Sequence, residues 1–271
     1  MRVLVTGWPS FLHGEATAGD VLSMRVVRST LTGAGFACDL AWSPGFRPGE
    51  LSLDDADPAA YTDLVFTCGP AHGEQVRWLH RRFAACRRTA TGVSVLDWHD
   101  PAVSGFHRVY PRDAPDFEST VDLAAFAPVE PAPVAGVVLA PGQREYGERR
   151  RHDEVHDRLR DWLGSLDCAV VEADTRLDTG DWRKCSTPDQ VLALFARFDV
   201  VVTTRLHGLV LALRAGVPAL AVDPVAGGGK VSAQAAAWRW PAIVGAEEAT
   251  GPGAREVFDG WWRWCLDRRP R

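Results

Sequence analysis

The residues best suited to chemistry in this chain are an arginine and a histidine that flank a single leucine, Arg205 and His207, with Lys230 further along. The β-branched run Val200–Val202 precedes the pair and is typical of a strand covered on both faces of a parallel sheet. The apolar segment Leu209–Ala215 follows and predicts a crossover helix. Open α/β sheets bind ligands beyond the carboxyl ends of their strands, where helix N-termini attract anions. We therefore expect Arg205 and His207 to hold a charged substrate.

Between this pair and Lys230 the chain continues with Gly216–Pro218 and a further apolar run, Ala219–Val222. An Arg-x-His pair at a strand-to-helix junction, a small-residue helix, Gly-Val-Pro, a strand and a lysine mark the polysaccharide pyruvyl transferase family, which this stretch resembles. Two shorter segments are also similar to the family: Ala18–Asp20 at the start of a predicted helix, and the strand and loop arginine of Leu139–Arg144.

The resemblance implies an α/β protein of glycosyltransferase-B-like fold, in which two Rossmann-like domains face a cleft that holds the active site. It assigns substrate contacts to both sides of that cleft: Gly19 and Asp20 on the first, and Arg144, Arg205, His207 and Lys230 on the second. It also implies an enzyme that transfers a pyruvyl group from phosphoenolpyruvate to hydroxyls of a sugar or related acceptor, forming a ketal. For Gly19 and Asp20 the alternative role is a helix cap, since glycine suits tight turns and aspartate suits N-caps.

The residue types fit this chemistry. Phosphoenolpyruvate carries a phosphate and a carboxylate, and the guanidinium groups of Arg205 and Arg144 can bind either one with paired hydrogen bonds. Lys230 would neutralise phosphate as it leaves. Ketal formation requires protonation of the enol methylene, and histidine donates protons near neutral pH. The resemblance assigns this general-acid role to His207; the alternatives are a buried structural histidine and, for Arg144, a solvated surface residue.

The chain contains 11 tryptophans, which is a high number for 271 residues. Sugar-binding sites often stack aromatic rings against pyranose faces. Trp8, directly after the predicted first strand Arg2–Thr6, is our candidate for a contact with the acceptor. Packing in the core is the alternative for this and the other tryptophans.

Alternating strand and helix patterns predict two Rossmann-like domains, residues 1–133 on the acceptor side and residues 134–271 on the donor side. The proline-rich segment Pro128–Pro133 predicts the linker between them. The second half restarts the alternation at Val137–Ala140. The apolar run Val257–Leu266, with three tryptophans, predicts a closing helix at the C-terminal end.

Composition excludes several classes of protein. Hydrophobic residues at 46% and charged residues at 24% are ordinary for a globular domain. The formal net charge of −5 argues against a nucleic-acid partner. No apolar stretch approaches the ~20 residues of a membrane span, and residues 1–6 fit a strand better than a signal peptide. We expect a cytoplasmic protein without a membrane span.

We expect no metal and no cofactor. The six cysteines are scattered without the paired spacing of a zinc ribbon or redox motif. His152 and His156 could bind a metal from one helix face, but their Arg- and Asp-rich surroundings favour a solvated face. The glycines before Lys230 suggest a phosphate loop, yet Pro224 and Val231 stand where a Walker motif needs glycine and serine or threonine.

Two other functions remain open on sequence grounds. A glycosyltransferase of the same fold would use a nucleotide sugar, whose diphosphate Arg205 and Lys230 would hold. A binding protein that has lost catalysis would retain the fold alone. Fold class does not separate these from the pyruvyl transferase.

Overall fold

The computed structural model describes residues 1–268, which form two compact α/β units. The first unit spans Met1–Val129 and the second begins at Glu130, so the division falls within the proline-rich segment. Each unit contains one five-stranded parallel sheet with helices packed around it. The predicted class, two Rossmann-like α/β domains, is confirmed. Among residues 1–268, no helix combines the length and apolar character needed to cross a bilayer.

The first unit has five strands and three helices. Their bounds are β1 Arg2–Gly7, α1 Ala18–Gly33, β2 Ala37–Leu40, β3 Asp63–Thr67, α2 Gly73–Arg82, β4 Arg87–Ser94, α3 Pro101–Ser104 and β5 Arg108–Asp113. The strand order is β2-β1-β3-β4-β5. Strand β3 is buried along its whole length, as its central position in the sheet requires.

Helix α2 ends earlier than the sequence predicts. Its mixed apolar and basic pattern predicts a helix over Glu74–Arg88, but the helix stops at Arg82 and Arg87 begins strand β4. The guanidinium of Arg88 turns back and donates hydrogen bonds to the carbonyl oxygens of Phe83, Ala84 and Cys86. These bonds stabilise the turn that joins α2 to β4, and Phe83 is the C-cap residue of the helix. Strand β5 lies in residues 101–126, where the sequence shows no strong periodicity.

The second unit has five strands and six helices among its described residues. Their bounds are β6 Val134–Val138, α4 His152–Leu163, β7 Ala169–Glu172, α5 Pro188–Phe195, β8 Val200–Thr203, α6 Leu206–Arg214, β9 Ala219–Val222, α7 Lys230–Ala237, β10 Ile243–Val244, α8 Ala246–Thr250 and α9 Ala254–Leu266. The strand order is β10-β9-β8-β6-β7.

Helix α9 is the predicted closing helix, and its aromatic residues belong to the core. Trp262 packs edge-on against Trp162 of α4 with 5.8 Å between ring centroids, and Phe258 lies 5.2 Å from the same ring. The Trp162 indole nitrogen donates a 2.8 Å hydrogen bond to Asp259. For these tryptophans the packing alternative holds.

The strand orders place a switch point in each sheet. In the first unit the chain moves outward from β1 to β2, then continues on the other side of β1 from β3 onward. The second unit repeats this with β6 flanked by β7 and β8. In doubly wound sheets the crevice at the switch point, beyond the carboxyl ends of the strands, is where ligands bind. In the second unit that crevice lies between the ends of β6 and β8.

The prediction that His152 and His156 lie on a solvated helix face is wrong. His152 is 0% exposed and His156 is 7% exposed. Both lie on the stripe of α4 that carries Val155 and Leu159 into the core. The spacing of three and four residues along the helix is the signal that identifies this stripe, and it outweighs the charged residues on the other faces.

Burial, reinforced by the neighbouring His152, lowers the pKa of His156 from 6.5 to about 4. Between these values the unfolded chain binds a proton that the folded chain excludes, so the free energy of unfolding must fall as the pH falls through this window. Above about pH 6.5 this contribution to the pH dependence of stability vanishes, because the histidine is neutral in both states. One such group changes the free energy by about 1.4 kcal/mol per pH unit.

When the pH falls from about 7 to about 5, this histidine should cost the wild type roughly 2 kcal/mol of its free energy of unfolding. We expect His156→Gln to be spared that loss, because glutamine binds no proton. Urea unfolding at both pH values measures the difference. His13→Gln, which changes an exposed histidine, is the matched control and should keep the wild-type dependence. An unchanged pH dependence in His156→Gln would show that this histidine binds its proton equally well in the folded and the unfolded protein.

Candidate functional site

The Arg205-His207 pair lies where β8 turns into α6. Arg205 is the N-cap residue of α6, and Thr203 ends the buried strand. The Thr203 hydroxyl donates to the carbonyl oxygen of Val138 at 2.8 Å and accepts the N–H of Arg205 at 3.0 Å. These two bonds join the end of β6 to the start of α6 and fix the backbone that carries the pair.

Gly208 allows α6 to begin this close to the sheet. A Cβ at this position would lie 2.1 Å from the Thr203 hydroxyl oxygen and 2.9 Å from the Thr203 Cβ. Both residues are buried, so neither has room to move aside. The glycine after His207 is therefore a packing requirement of the strand-to-helix junction.

The next hydroxyl, that of Thr204, joins three elements. It accepts the N–H of Ala140, after β6, at 2.9 Å and lies 3.0 Å from Nε2 of His156 on α4. The Thr204 hydroxyl has one proton and two lone pairs, so it can pair with either the bare or the protonated Nε2 of a neutral imidazole. The lowered pKa of His156 agrees with a neutral imidazole.

The Arg205 side chain is held by Asp174, which follows β7. Nη1 of Arg205 donates to Oδ1 of Asp174 at 2.7 Å. Since β6 lies between β8 and β7, the arginine must extend across the carboxyl end of β6 to make this bond. Arg205 is 21% exposed at its side chain, and most of the guanidinium N–H donors are left for a ligand.

Asp174 is a carboxylate in this arrangement. Burial alone would raise its pKa, but hydrogen bonds from the Arg176 backbone and side chain, together with the charge of Arg205, lower it. Nε of Arg176 donates to Oδ2 at 2.6 Å. One acidic group thus orients Arg205 from outside the crevice. The sequence reasoning missed Asp174, although an acid directly after a strand at the carboxyl edge of the sheet is a recognisable signal.

Lys230 begins α7 after a loop that a buried carboxylate fixes. Asp223, directly after β9, is fully buried. Its Oδ2 accepts the N–H groups of Gly229 at 2.7 Å and Ser232 at 2.8 Å, and Oδ1 accepts that of Val225 at 3.1 Å. The glycines before Lys230 follow from this loop: Gly227 and Gly228 have φ values of 75° and 87°, which disfavour other residues.

The loop after β6 carries Arg144 in a 3-10 turn, Arg144–Arg149. Its end pairs with the loop after β9: the N–H of Arg151 donates to Pro224 at 2.8 Å and the N–H of Ala226 donates to Arg149 at 2.8 Å. The charged pattern from about Arg149 to Leu163 predicts a helix, but the basic run Arg149–Arg151 lies outside α4. Pairing to the neighbouring loop takes the backbone groups that a helix would have used.

The structure thus brings four of the predicted site residues to one edge of one sheet: Arg144, Arg205, His207 and Lys230. They lie on the loops that follow β6, β8 and β9, which are neighbours in the sheet and are tied to one another by the bonds above. The side chains of Arg144, His207 and Lys230 form no hydrogen bond or ion pair with any of residues 1–268. These three groups are available to a ligand.

The remaining predicted residues belong to the first unit. Gly19 and Asp20 lie in the first turn of α1, where the N–H of Asp20 donates to the side chain of its N-cap residue Thr17 at 3.2 Å. The Thr17 hydroxyl donates in turn to the Asp20 carboxylate at 2.7 Å. These contacts belong to a helix cap, the alternative role considered for the pair, although Thr17 rather than Asp20 is the N-cap residue.

Trp8 occupies the switch point of the first sheet, after β1. Its indole covers Gly69, where a Cβ would lie 2.2 Å from the ring, and its Nε1 donates to the carbonyl oxygen of Pro70 at 3.2 Å. It also packs edge-on against Phe11 with 5.5 Å between ring centroids. Its contacts within the unit are those of a packing residue.

A cavity of about 860 Å³ adjoins the Asp174 carboxylate in the second unit. Apolar side chains from β6, β7 and α4 line it, namely Val137, Leu139, Val170 and Leu163. Charged groups surround its mouth: Arg160, Glu172, Asp174, Arg176, Asp181, Arg183 and Lys184. None of the site residues predicted from the sequence lines it, so Asp174 is the group that connects the cavity to Arg205.

One family model matches part of the chain. The family model of polysaccharide pyruvyl transferases matches residues 137–224. This range runs from β6 to the residue after Asp223 and includes Arg144, Asp174, Arg205 and His207, whereas Lys230 and the first unit lie outside it. The match supports a transferase that modifies polysaccharide. No curated protein matches the chain.

Two solved structures of a heptosyltransferase resemble the whole chain weakly. Escherichia coli WaaC with ADP has 14% identity and a TM-score of 0.31, with 98% of this chain and 100% of that chain covered. WaaC with ADP-2-deoxy-2-fluoro heptose has 14% identity and a TM-score of 0.29, covering 97% and 99%.

The close approach at Gly208 gives a first test of the site. Gly208→Ala should destabilise the protein by about 1–3 kcal/mol, because a methyl group must be forced into a filled junction. Chemical denaturation measures the change. The control is Gly260→Ala in α9, where a Cβ meets nothing within 4 Å and alanine should be neutral or slightly stabilising. Equal stability of the two variants would mean that α6 can move away from β8 freely.

Proposed function

We propose that this protein is a pyruvyl transferase that moves a pyruvyl group from phosphoenolpyruvate to hydroxyls of a sugar or related acceptor. The observation that carries the proposal is the orientation of Arg205. Its guanidinium is anchored by Asp174, retains free donors, and lies at the start of a helix next to His207. The family match over residues 137–224 supports the same conclusion.

The donor would bind between the loops after β6, β8 and β9. The planar guanidinium of Arg205 suits a bidentate grip on phosphate or carboxylate, and Arg144 offers a second one. The first N–H groups of α6 have no side-chain cap and add donors for an anion. Lys230, unpaired at the start of α7, would neutralise the departing phosphate.

His207 would act as the general acid. It gives a proton to the methylene carbon of phosphoenolpyruvate, which leaves a cationic carbon bonded to the phosphate oxygen. An acceptor hydroxyl attacks that carbon and gives its proton to the His207 imidazole, which restores the acid. A second hydroxyl of the acceptor then attacks the same carbon and gives its proton to the departing phosphate, the carbon–oxygen bond to phosphate breaks, and inorganic phosphate leaves. The two new carbon–oxygen bonds close the ketal, and no redox change occurs.

We assign donor binding to the second domain, 134–271, and acceptor binding to the first, 1–133. Gly19 and Asp20 stay predicted acceptor contacts on the strength of the resemblance, and Trp8 stays one because aromatic rings stack against sugars. Within the first unit the Trp8 ring is half-buried and Gly19 is exposed, so both can be reached by an acceptor.

The second candidate is a glycosyltransferase that uses a nucleotide sugar. The cavity beside Asp174 favours it, because about 860 Å³ with apolar walls would hold a nucleoside and exceeds the needs of phosphoenolpyruvate. A thermal-shift comparison of phosphoenolpyruvate with UDP- and GDP-sugars separates the two. A ligand present at ~100 Kd stabilises the folded state by about 2.7 kcal/mol. Stabilisation by a nucleotide sugar alone would replace the pyruvyl transferase with this candidate.

Arg205→Lys tests the grip on the donor. Lysine keeps the charge but loses the paired geometry and the fixed bond to Asp174, so the affinity for phosphoenolpyruvate should fall by on the order of 1.5–3 kcal/mol. Calorimetric titration measures it. Arg214→Lys makes the same change on an exposed arginine in the last turn of α6 and should bind normally. Unchanged affinity in Arg205→Lys would rule out the role.

His207→Gln tests the proton donor. The side chain is exposed and without partners in the structure, so the variant should fold and still bind phosphoenolpyruvate. Turnover, measured as release of inorganic phosphate, should fall roughly 10²–10⁴-fold. His99→Gln, an exposed histidine of the first unit, serves as the control. Near-normal turnover would rule out His207 as the general acid.

A further inference from the structure

A second cavity, of about 330 Å³, lies wholly within the first unit. Its walls come from the segments after β1 and β2 and from the first turns of α2. The lining residues are Ser10, Phe11, Leu12, Pro44, Ser52, Leu53, Asp54, Glu74, Gln75, Trp78 and Arg81. The cavity therefore lies at the carboxyl edge of the first sheet, where α/β units hold ligands.

The floor of this cavity consists of apolar side chains and of polar groups that are already hydrogen-bonded. Phe11 and Leu53 are 3% and 4% exposed and belong to the core. The two serine hydroxyls beside them are already used: Ser10 donates to the carbonyl oxygen of Ala41 at 2.6 Å, and Ser52 donates to Asp55 at 2.6 Å. A ligand hydroxyl that reached this floor would find no partner and would lose its bonds to water.

The mouth of the cavity is different. Trp78 and Gln75 lie on one face of α2, and their side-chain polar groups form no hydrogen bond with any of residues 1–268. Glu74 stands beside them, and its two carboxylate oxygens already accept hydrogen bonds from Arg77 at 3.0 Å and from Arg81 at 2.5 Å. The indole N–H of Trp78 and the amide of Gln75 can together bind sugar hydroxyls. Leu12, 66% exposed, adds apolar surface at the same mouth.

We propose that this cavity binds an amphipathic glycoside, with an apolar substituent on the floor and the sugar at the mouth. The proposal rests on the proposed function, since it names the class of acceptor: a sugar that carries an apolar group rather than a free hexose. A free hexose would meet an apolar floor with hydroxyls on every side. An apolar compound without the sugar would leave the Trp78 and Gln75 groups without a partner.

The test measures binding to the full chain by calorimetry with three probes: octyl glucoside below its micelle concentration, methyl glucoside and octanol. Octyl glucoside should bind roughly tenfold or more tightly than either other probe, because only it satisfies both the floor and the mouth. Equal binding of methyl glucoside would overturn the apolar floor. Equal binding of octanol would overturn the role of the sugar.

Two variants locate the binding. Leu12→Asp should weaken octyl glucoside at least tenfold, whereas Leu96→Asp should not. Leu96 is a matched control, 63% exposed and outside the cavity lining. Gln75→Ala should weaken octyl glucoside and leave octanol unchanged. Equal effects of Leu12→Asp and Leu96→Asp would show that binding lies elsewhere and would overturn the proposal.

A separate titration with phosphoenolpyruvate keeps the two proposals apart. If octyl glucoside binds in this cavity and phosphoenolpyruvate does not bind the wild type, the donor assignment fails and the glycoside site stands. If phosphoenolpyruvate binds and octyl glucoside does not, the proposed function stands and the cavity is not the acceptor site.

Discussion

The candidate site depends on two consecutive threonine hydroxyls at the end of β8. Thr203 bonds to the end of β6 and to the backbone of Arg205, and Thr204 bonds to the loop after β6 and to His156 on α4. The Thr203 hydroxyl both donates and accepts, and the Thr204 hydroxyl pairs with two further elements, so apolar side chains at these positions would leave the junction without these bonds. Without them the loops after β6 and β8 would meet only through the sheet, and the Arg-His pair would have no fixed orientation.

Two aspartates act on this frame in different ways. Asp223 is buried, and both of its carboxylate oxygens accept hydrogen bonds from backbone N–H groups. These bonds fix the shape of the glycine loop before Lys230. Asp174 is partly exposed and uses its oxygens on arginine side chains. The first fixes the backbone and the second fixes a side chain. Together they explain how a site that is rich in cations can be stable before an anionic ligand arrives.

The sequence predicts the frame of the second unit better than its contacts. The valine run of β8 and the crossover helix α6 are local signals; the strand appears where predicted, and the helix begins at Leu206, three residues before the predicted Leu209. The position of Asp174 just after a strand is a local signal, but its pairing with Arg205, 31 positions away, is one that no local pattern reveals. The buried histidines of α4 were misjudged because charged neighbours were weighed above the spacing along the helix. Strand β5 was not predicted, because its own sequence lacks a strand pattern. Its pairing with β4, which is irregular in register, supplies the stabilisation instead.

The bond between Asp174 and Arg205 also means that the arginine side chain is ordered before a ligand binds. A long arginine side chain in solvent samples many rotamers, and immobilising it on binding costs up to ~2 kcal/mol of conformational entropy. Here folding has already selected the rotamer, because the guanidinium is fastened across the end of β6 at 2.7 Å. An arriving anion therefore meets a receptor whose geometry is set in advance. Recognition then resembles the docking of two rigid partners, and selectivity among anions of similar charge is decided by shape.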